Sequence, residues 1–126
     1  MTTEQKQLLI KDLCARLSYG VMCDILGHPL KLIGIHPNKK FTLEFDRGEY
    51  MPTDYMLEDV EPYLRPMSSM TEEEKIVYDK TFAYFKDIPC YTLESFDWLN
   101  AHHFDYRGLI EKGLALPAPD GMYNFK

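Results

Sequence analysis

The spacing of the apolar residues changes near residue 19, and this change constrains the fold more than any other feature of the sequence. Before it, Leu9, Leu13 and Leu17 recur every four residues, which is the spacing of one face of an α-helix. After it, the segment YGVMCDI (19–25) places apolar side chains at every second position, as a β-strand does. The sequence therefore predicts an amphipathic helix over residues 1–18 that leads into a β region.

The N-terminal helix carries a start signal of its own. Thr2 and Gln5 have the spacing of a capping box, in which each side chain accepts a hydrogen bond from the backbone N–H of the other residue. Charged side chains lie between the leucines and are expected to face water: Glu4, Lys6, Lys11 and Arg16.

Two more strands are predicted within residues 19–66. LKLIGI and FTLEF follow the first strand, and the second of them alternates, with Phe41, Leu43 and Phe45 expected to point inward. The turn sequences LGHP, HPNKK and DRGE separate or end these strands. We therefore expect three or four antiparallel strands.

A proline strap, EYMPTDYMLEDVEPYLRPM (49–67), follows the strands. Its three prolines are expected to exclude a central strand or a continuous helix, because proline has no N–H to donate. The prediction is a short edge strand and then an extended segment. Tyr63 and Arg65 lie in that segment and are predicted contact residues, since tyrosine and arginine are enriched in binding hot spots.

Residues 67–126 are predicted to form a helical region and a tail. Thr71 and Glu74 form a second capping box, and three glutamates lie where the helix dipole favours negative charge. The buried face of this helix is expected to be aromatic: Tyr78, Phe82 and Phe85.

Two shorter helices are expected after it. Thr92 is a plausible cap for LESFDWLNAHH, and Asp105 for DYRGLIEKG, which ends at Gly113 before an extended tail. A run of strands followed by a run of helices predicts an α+β fold in a single domain, 1–126. The sheet is expected to be small, bent and antiparallel, with a partly open SH3-like barrel as one arrangement.

The overall charge argues against a nucleic-acid partner. The chain has a formal net charge of -6, so its field repels phosphate backbones. The hypothesis considered for nucleic acid is a helix-turn-helix at the C-terminal helical corner. Its second helix would offer only Arg107 and Lys112 as basic residues, opposed by Glu111. Packing of this corner on the sheet is the favoured interpretation.

Cysteine usage and hydropathy indicate a cytoplasmic protein. Cys14, Cys23 and Cys90 are odd in number and widely spaced, so neither a closed disulfide framework nor a CxxC pair is present. The N-terminus lacks the apolar core of a signal peptide, and no stretch approaches the roughly 18 apolar residues of a membrane span. We expect no membrane partner.

WLNAHHFDYRG (98–108) concentrates groups that could carry chemistry. His102 and His103 are adjacent, so their side chains diverge by about 100° on a helix and are poorly placed to share a metal ion. We therefore predict no metal ligands and no cofactor. The alternative is a small hydrolase or metal-dependent enzyme that uses the two histidines with a nearby carboxylate: Asp97, Asp105 or Glu111.

Several passages resemble a group of small proteins. VEPYLRPMSSMTEEE and WLNAHHFDYRGLIEKGLALPAPDGMY resemble the central and C-terminal passages of uncharacterised small proteins of gut anaerobes and their prophages or mobile elements. LIKDLCARLSYGV is similar to the opening of the same group, and together these passages cover a little under half of the chain. The resemblance implies a phage or mobile-element origin and a bacterial cytoplasm, but no activity and no site residues.

The leading prediction is a non-enzymatic accessory binding protein of phage or mobile-element type that contacts a host protein or a small ligand. No nucleophile motif and no phosphate-binding glycine loop occurs, so no catalytic residue is predicted. The abundance of tyrosine and methionine leaves self-association open. The predicted binding residues are Tyr63, Arg65, His102, Tyr106 and Arg107.

Overall fold

The computed structural model describes residues 1–36, 42–46 and 53–123. Within these residues the chain forms three α-helices: α1 (Thr3–Arg16), α2 (Glu72–Asp79) and α3 (Leu93–Ala101). The strands of the same residues are β1 (Met22–Ile25), β2 (His28–His36), β3 (Thr42–Asp46), β4 (Thr53–Met56), β5 (Val60–Leu64), β6 (Ala83–Phe85), β7 (Ile88–Cys90) and β8 (Leu116–Pro117). The predicted α+β class is confirmed.

Six of the strands form one mixed sheet in the order β4-β3-β2-β1-β5-β8, and β6 and β7 form a separate hairpin. The neighbours from β4 to β5 are antiparallel, whereas β5 and β8 are parallel, with Tyr63 opposite Leu116. The expected purely antiparallel sheet is thus wrong at its last strand, which comes from the predicted tail. An SH3-like barrel is not confirmed.

The N-terminal helix is confirmed, with one error in its exposed face. Thr2 and Gln5 form the predicted capping box, and Leu9 and Leu13 are fully buried. Arg16, which we expected in water, is also fully buried. The leucine stripe alone could not show this, because Arg16 also donates to the carbonyl oxygen of Phe104, which is distant in the chain.

The alternation of the strands is confirmed where the structure describes it. Val21, Cys23 and Ile25 are buried on one face, and Leu43 and Phe45 are buried on β3. Phe41 and most of the predicted HPNKK and DRGE turns lie outside the described residues.

The proline strap was only partly predicted. The expected edge strand exists as β4, but β5 lies inside the sheet between β1 and β8, so the exclusion of a central strand is wrong. Val60, Pro62 and Leu64 alternate into the core along β5. On its other side β5 pairs with β8 only through Tyr63 and Leu64, so this pairing begins just after Pro62.

The helix α2, which Thr71 caps, is shorter than predicted. It ends at Asp79, and Thr81 donates its hydroxyl hydrogen to the carbonyl oxygen of Tyr78 (2.6 Å). The aromatic spacing continues beyond the helix and was therefore misleading: Phe85 lies on β6 and is 65% exposed.

The third predicted C-terminal helix does not form. Residues 105–114 make a series of turns, with Gly108 and Gly113 both at positive φ (74° and 73°). Asp105 still performs the predicted capping, because its carboxylate accepts from the backbone N–H groups of Leu109 (2.8 Å) and Ile110 (3.0 Å). The helix-turn-helix hypothesis thereby loses its second helix.

Two apolar clusters hold these elements together. The larger one joins α1 to one face of the sheet, and the smaller one contains Tyr78, Leu99 and Phe104 beneath α2 and α3. No helix in the described part of the chain has the length and apolar character needed to cross a membrane.

Candidate binding cleft and hairpin surface

The end of the proline strap pairs with the histidine corner. The N–H of Arg65 donates to the carbonyl oxygen of His103 (2.7 Å), and the N–H of Asp105 donates to the carbonyl oxygen of Arg65 (2.9 Å). These two hydrogen bonds form a parallel bridge between Arg65 and Phe104. Two segments that the sequence separates by almost forty residues are therefore held side by side.

The Arg65 side chain is fixed by two kinds of contact. Its two terminal nitrogens donate to the two carboxylate oxygens of Glu74 (2.7 and 2.8 Å), and its guanidinium lies 4.1 Å from the ring centre of Phe104. The Arg65 hydrogen bonds lower the pKa of Glu74 to about 2. Bidentate pairing of this kind fixes the orientation of both groups. Arg65 is therefore held in one position at the protein surface, where its side chain is 18% exposed.

A cleft of about 560 Å³ opens beside this pair. It lies where β5 ends, α2 begins and α3 ends, with the segment after β8 as its remaining wall. The lining residues are Arg65, Pro66, Ser69, Thr71, Glu73, Glu74, His102, Ala118, Pro119, Asp120, Gly121 and Tyr123. Because Arg65 compensates the charge of Glu74, the charges of Glu73 and Asp120 make the cleft negative overall.

The two histidines lie in different environments. His102 lines the cleft, stacks on Trp98 at 4.1 Å between ring centres, and places its Nδ1 2.9 Å from the Trp98 carbonyl oxygen. His103 is buried and stacks on Tyr123 at 4.0 Å. Burial, followed by the nearby Arg16 charge, lowers the pKa of His103 to about 3. The predicted divergence of the two side chains is thus confirmed.

The other predicted binding residues do not line the cleft. The Tyr63 hydroxyl donates to Asp24 (3.3 Å) and the Tyr106 hydroxyl to Asn100 (3.0 Å). Arg107 lies over the Tyr106 ring, 4.5 Å from its centre. Of the five, the structure brings only Arg65 and His102 together in the cleft.

Arg107 belongs instead to a buried ion network that joins the corner to α1. Asp12 accepts from Arg16 Nε (2.9 Å) through one oxygen and from Arg107 Nη1 (2.8 Å) through the other. Arg16 Nη2 also donates to the carbonyl oxygen of Phe104 (2.6 Å). Asp12 and Arg16 are fully buried, whereas Arg107 is 15% exposed. The spacing of Asp12 and Arg16 by four residues was visible in the sequence, but their burial was not.

The carboxylates of the enzyme alternative are dispersed. Asp105 uses both oxygens to accept backbone N–H groups, and Asp97 and Glu111 are exposed. Among residues 1–36, 42–46 and 53–123, no group of three or more His, Cys, Asp or Glu side chains could hold a metal ion.

A second candidate surface was missed by the sequence analysis. All six residues of β6 and β7 are exposed, and the turn between them places Lys86 and Asp87 at positive φ (50° and 66°). We define the hairpin surface by six large apolar side chains with their exposed fractions: Tyr84 62%, Phe85 65%, Ile88 62%, Tyr91 65%, Leu93 83% and Phe96 40%. The signal that could have revealed it is the short KD turn between two apolar triplets, which the helical aromatic spacing obscured.

Comparison with known proteins adds no functional information. The chain matches no protein-family model, no curated protein and no solved structure. Its function must therefore be inferred from the cleft, the ion network and the hairpin surface.

Proposed function

We propose that this chain is a non-enzymatic accessory binding protein of phage or mobile-element type, and that its cleft binds a basic segment of a host protein. The observation that carries the proposal is the cleft itself, in which Arg65 and His102 converge beside the carboxylates of Glu73 and Asp120. The phage-type origin is supported by the resemblance of the VEPYLRPMSSMTEEE and WLNAHHFDYRGLIEKGLALPAPDGMY passages.

The charges of the cleft favour a cationic occupant. Three carboxylates, from Glu73, Glu74 and Asp120, face one guanidinium, so a lysine or arginine side chain would improve the balance. The rings of His102 and Tyr123 supply faces on which the stem or the head of such a side chain can rest. A volume of about 560 Å³ is within the range of ligand sites and exceeds that of one side chain, so a short segment fits.

The walls of the cleft are arranged before any ligand binds. Arg65 is fixed by Glu74 and Phe104, and the capping box of α2 holds Glu74 to Thr71 through two hydrogen bonds of 3.1 Å each. A ligand would therefore not have to order these groups, which lowers the entropic cost of binding.

A peptide titration followed by amide NMR tests this proposal. Tri-arginine should shift the amide signals of His102, Asp120 and Gly121, whereas tri-glutamate should not. The double variant Glu73→Gln/Asp120→Asn should weaken tri-arginine binding about tenfold, because two exposed charges contribute roughly 1.4 kcal/mol together.

The matched control removes two exposed carboxylates elsewhere. Asp97→Asn/Glu111→Gln has the same net charge as the cleft variant and should bind tri-arginine within about twofold of the parent chain. Equal weakening by both variants would mean that only the overall charge attracts the peptide. Absence of shifts at the cleft in the parent chain would also contradict the proposal.

A further inference from the structure

We propose that the hairpin surface is the interface of a symmetric dimer, in which β6 of one copy pairs antiparallel with β6 of the other. This inference goes beyond the proposed function of the cleft and does not depend on it. The occupant of the hairpin surface is therefore a second copy of this chain.

The first reason is the exposure of the hairpin. β6 and β7 are each three residues long, and every residue of both strands is exposed. A two-stranded hairpin is at best marginally stable in water unless another layer covers it. No third strand joins this pair among the described residues, so its outer edges are open to another chain.

The second reason is the area of the hairpin surface. From their exposed fractions, the six side chains that define it expose on the order of 700 Å². A standard protein interface buries about 800 Å² on each partner, and homodimer interfaces are more apolar than other interfaces. This exposed apolar area is the most that the interface could bury on each copy, and it is close to the share that a homodimer needs.

The third reason is the difference between the two edges. β7 contains Pro89, which has no N–H and is a common device for blocking an edge strand. β6 consists of Ala83, Tyr84 and Phe85 and contains no proline. A two-fold axis requires the same strand from both copies, and an antiparallel β6 pair centred on Tyr84 satisfies it. The product is one four-stranded sheet with β7 at both edges.

The two-fold arrangement also avoids contacts between like charges. With Tyr84 opposite Tyr84 of the second copy, Lys86 and Asp87 of one chain lie opposite Phe82 and Thr81 of the other. The two Lys86 side chains are then about four residue spacings apart, or roughly 13 Å, which exceeds a Debye length at physiological salt.

The dimer would leave both clefts accessible. The hairpin joins the end of α2 to the start of α3, whereas the cleft lies at the start of α2 and the end of α3. The two sites are therefore at opposite ends of the helix pair. Each dimer presents two clefts, and a partner with two basic segments would gain from bivalent attachment.

Sedimentation equilibrium combined with cysteine cross-linking tests the dimer. At protein concentrations up to about 100 µM the full chain should approach twice its 14.8 kDa mass. Tyr84→Lys places two like charges directly opposite each other and should raise the dissociation constant at least tenfold. Leu26→Asn is the control, since it removes a side chain that is 75% exposed in a turn outside the hairpin and should leave the dimer intact.

The register is tested by Tyr84→Cys in a Cys14→Ser/Cys90→Ser background. Directly opposite residues of an antiparallel pair have Cα atoms about 4.5–5.5 Å apart, within the reach of a disulfide. Mild oxidation should give a covalent dimer for Tyr84→Cys and not for Ile33→Cys in the same background. A monomer throughout the concentration range, or equal cross-linking from both positions, would overturn the proposal.

Discussion

Asp12→Asn is expected to destabilise the fold strongly, because Asp12 is the carboxylate that the two arginines of the buried network share. It accepts from Arg16 at 2.9 Å and from Arg107 at 2.8 Å, and its own side chain is fully buried. Asparagine has nearly the same volume, so the packing is preserved while the negative charge is lost. The variant therefore leaves positive charge in the interior without a compensating anion.

The magnitude follows from what each arginine can do after the change. Arg107 is 15% exposed and can turn toward solvent, whereas Arg16 is fully buried and cannot. Removing one member of a buried ion pair costs about 3–5 kcal/mol, mainly through the charge that remains. Since small domains are stable by only about 5–15 kcal/mol, the free energy of unfolding should fall by roughly a fifth or more.

Urea denaturation at neutral pH measures this loss directly. The control is Glu58→Gln, which removes the surface salt bridge between Lys6 and Glu58 (2.8 Å), whose side chains are 42% and 45% exposed. Such exposed pairs contribute about 0–1 kcal/mol, so the control should unfold almost as the parent chain does. A loss below about 1 kcal/mol for Asp12→Asn would refute the view that the network is buried and mutually dependent.

Three further outcomes are expected. His103 has a pKa of about 3 in the folded chain, below its ordinary 6.5, so the unfolded chain takes up the proton more readily; the stability contributed by neutral His103 is full above pH 6.5 and is lost as the pH falls toward 3. From pH 7.5 to 5.0 this loss is about 2 kcal/mol. His103→Asn should remove most of this loss in urea titrations, because asparagine tolerates the positive φ of 59°. An unchanged dependence of the unfolding free energy on pH would contradict the assignment of the loss to His103. Asp87→Gly should stabilise the hairpin by about 1 kcal/mol, because glycine adopts the positive φ of 66° without strain. Amide hydrogen exchange at Phe85 and Ile88 should become slower, and unchanged exchange would contradict the turn geometry. Arg65→Lys keeps the charge but loses the bidentate pairing, and should cost about 1–2 kcal/mol of stability by thermal melting, whereas an unchanged melting temperature would contradict the rigid Arg65–Glu74 pair.

The local pattern of the sequence was sufficient wherever the structure depends on neighbouring residues. Capping boxes at Thr2 and Thr71 and the alternation of Val21, Cys23 and Ile25 each depend on groups within a few positions. The capping role of Asp105 was predicted for the same reason, although the helix it was expected to start did not form. Gly108 lies inside the predicted helix and adopts a positive φ of 74°, which an α-helix does not accommodate.

The candidate cleft could be predicted only in part. Tyrosine and arginine content singled out Arg65, and the unusual corner sequence singled out His102. Tyr63, Arg107 and Tyr106 had the same residue types, yet the fold uses them in hydrogen bonds and ring contacts elsewhere. Residue type therefore indicates what a side chain can bind, and only its tertiary neighbours determine whether it is available.

By itself the sequence determined the α+β class, the position of α1 and the strand faces, because helix and strand periods are properties of consecutive residues. Tertiary structure alone decided that Pro62 lies within the sheet, that β8 returns to pair with β5, and that Arg16 is buried. Each of these outcomes depends on contacts between residues far apart in the chain, and the free energy of such contacts cannot be read from the local pattern.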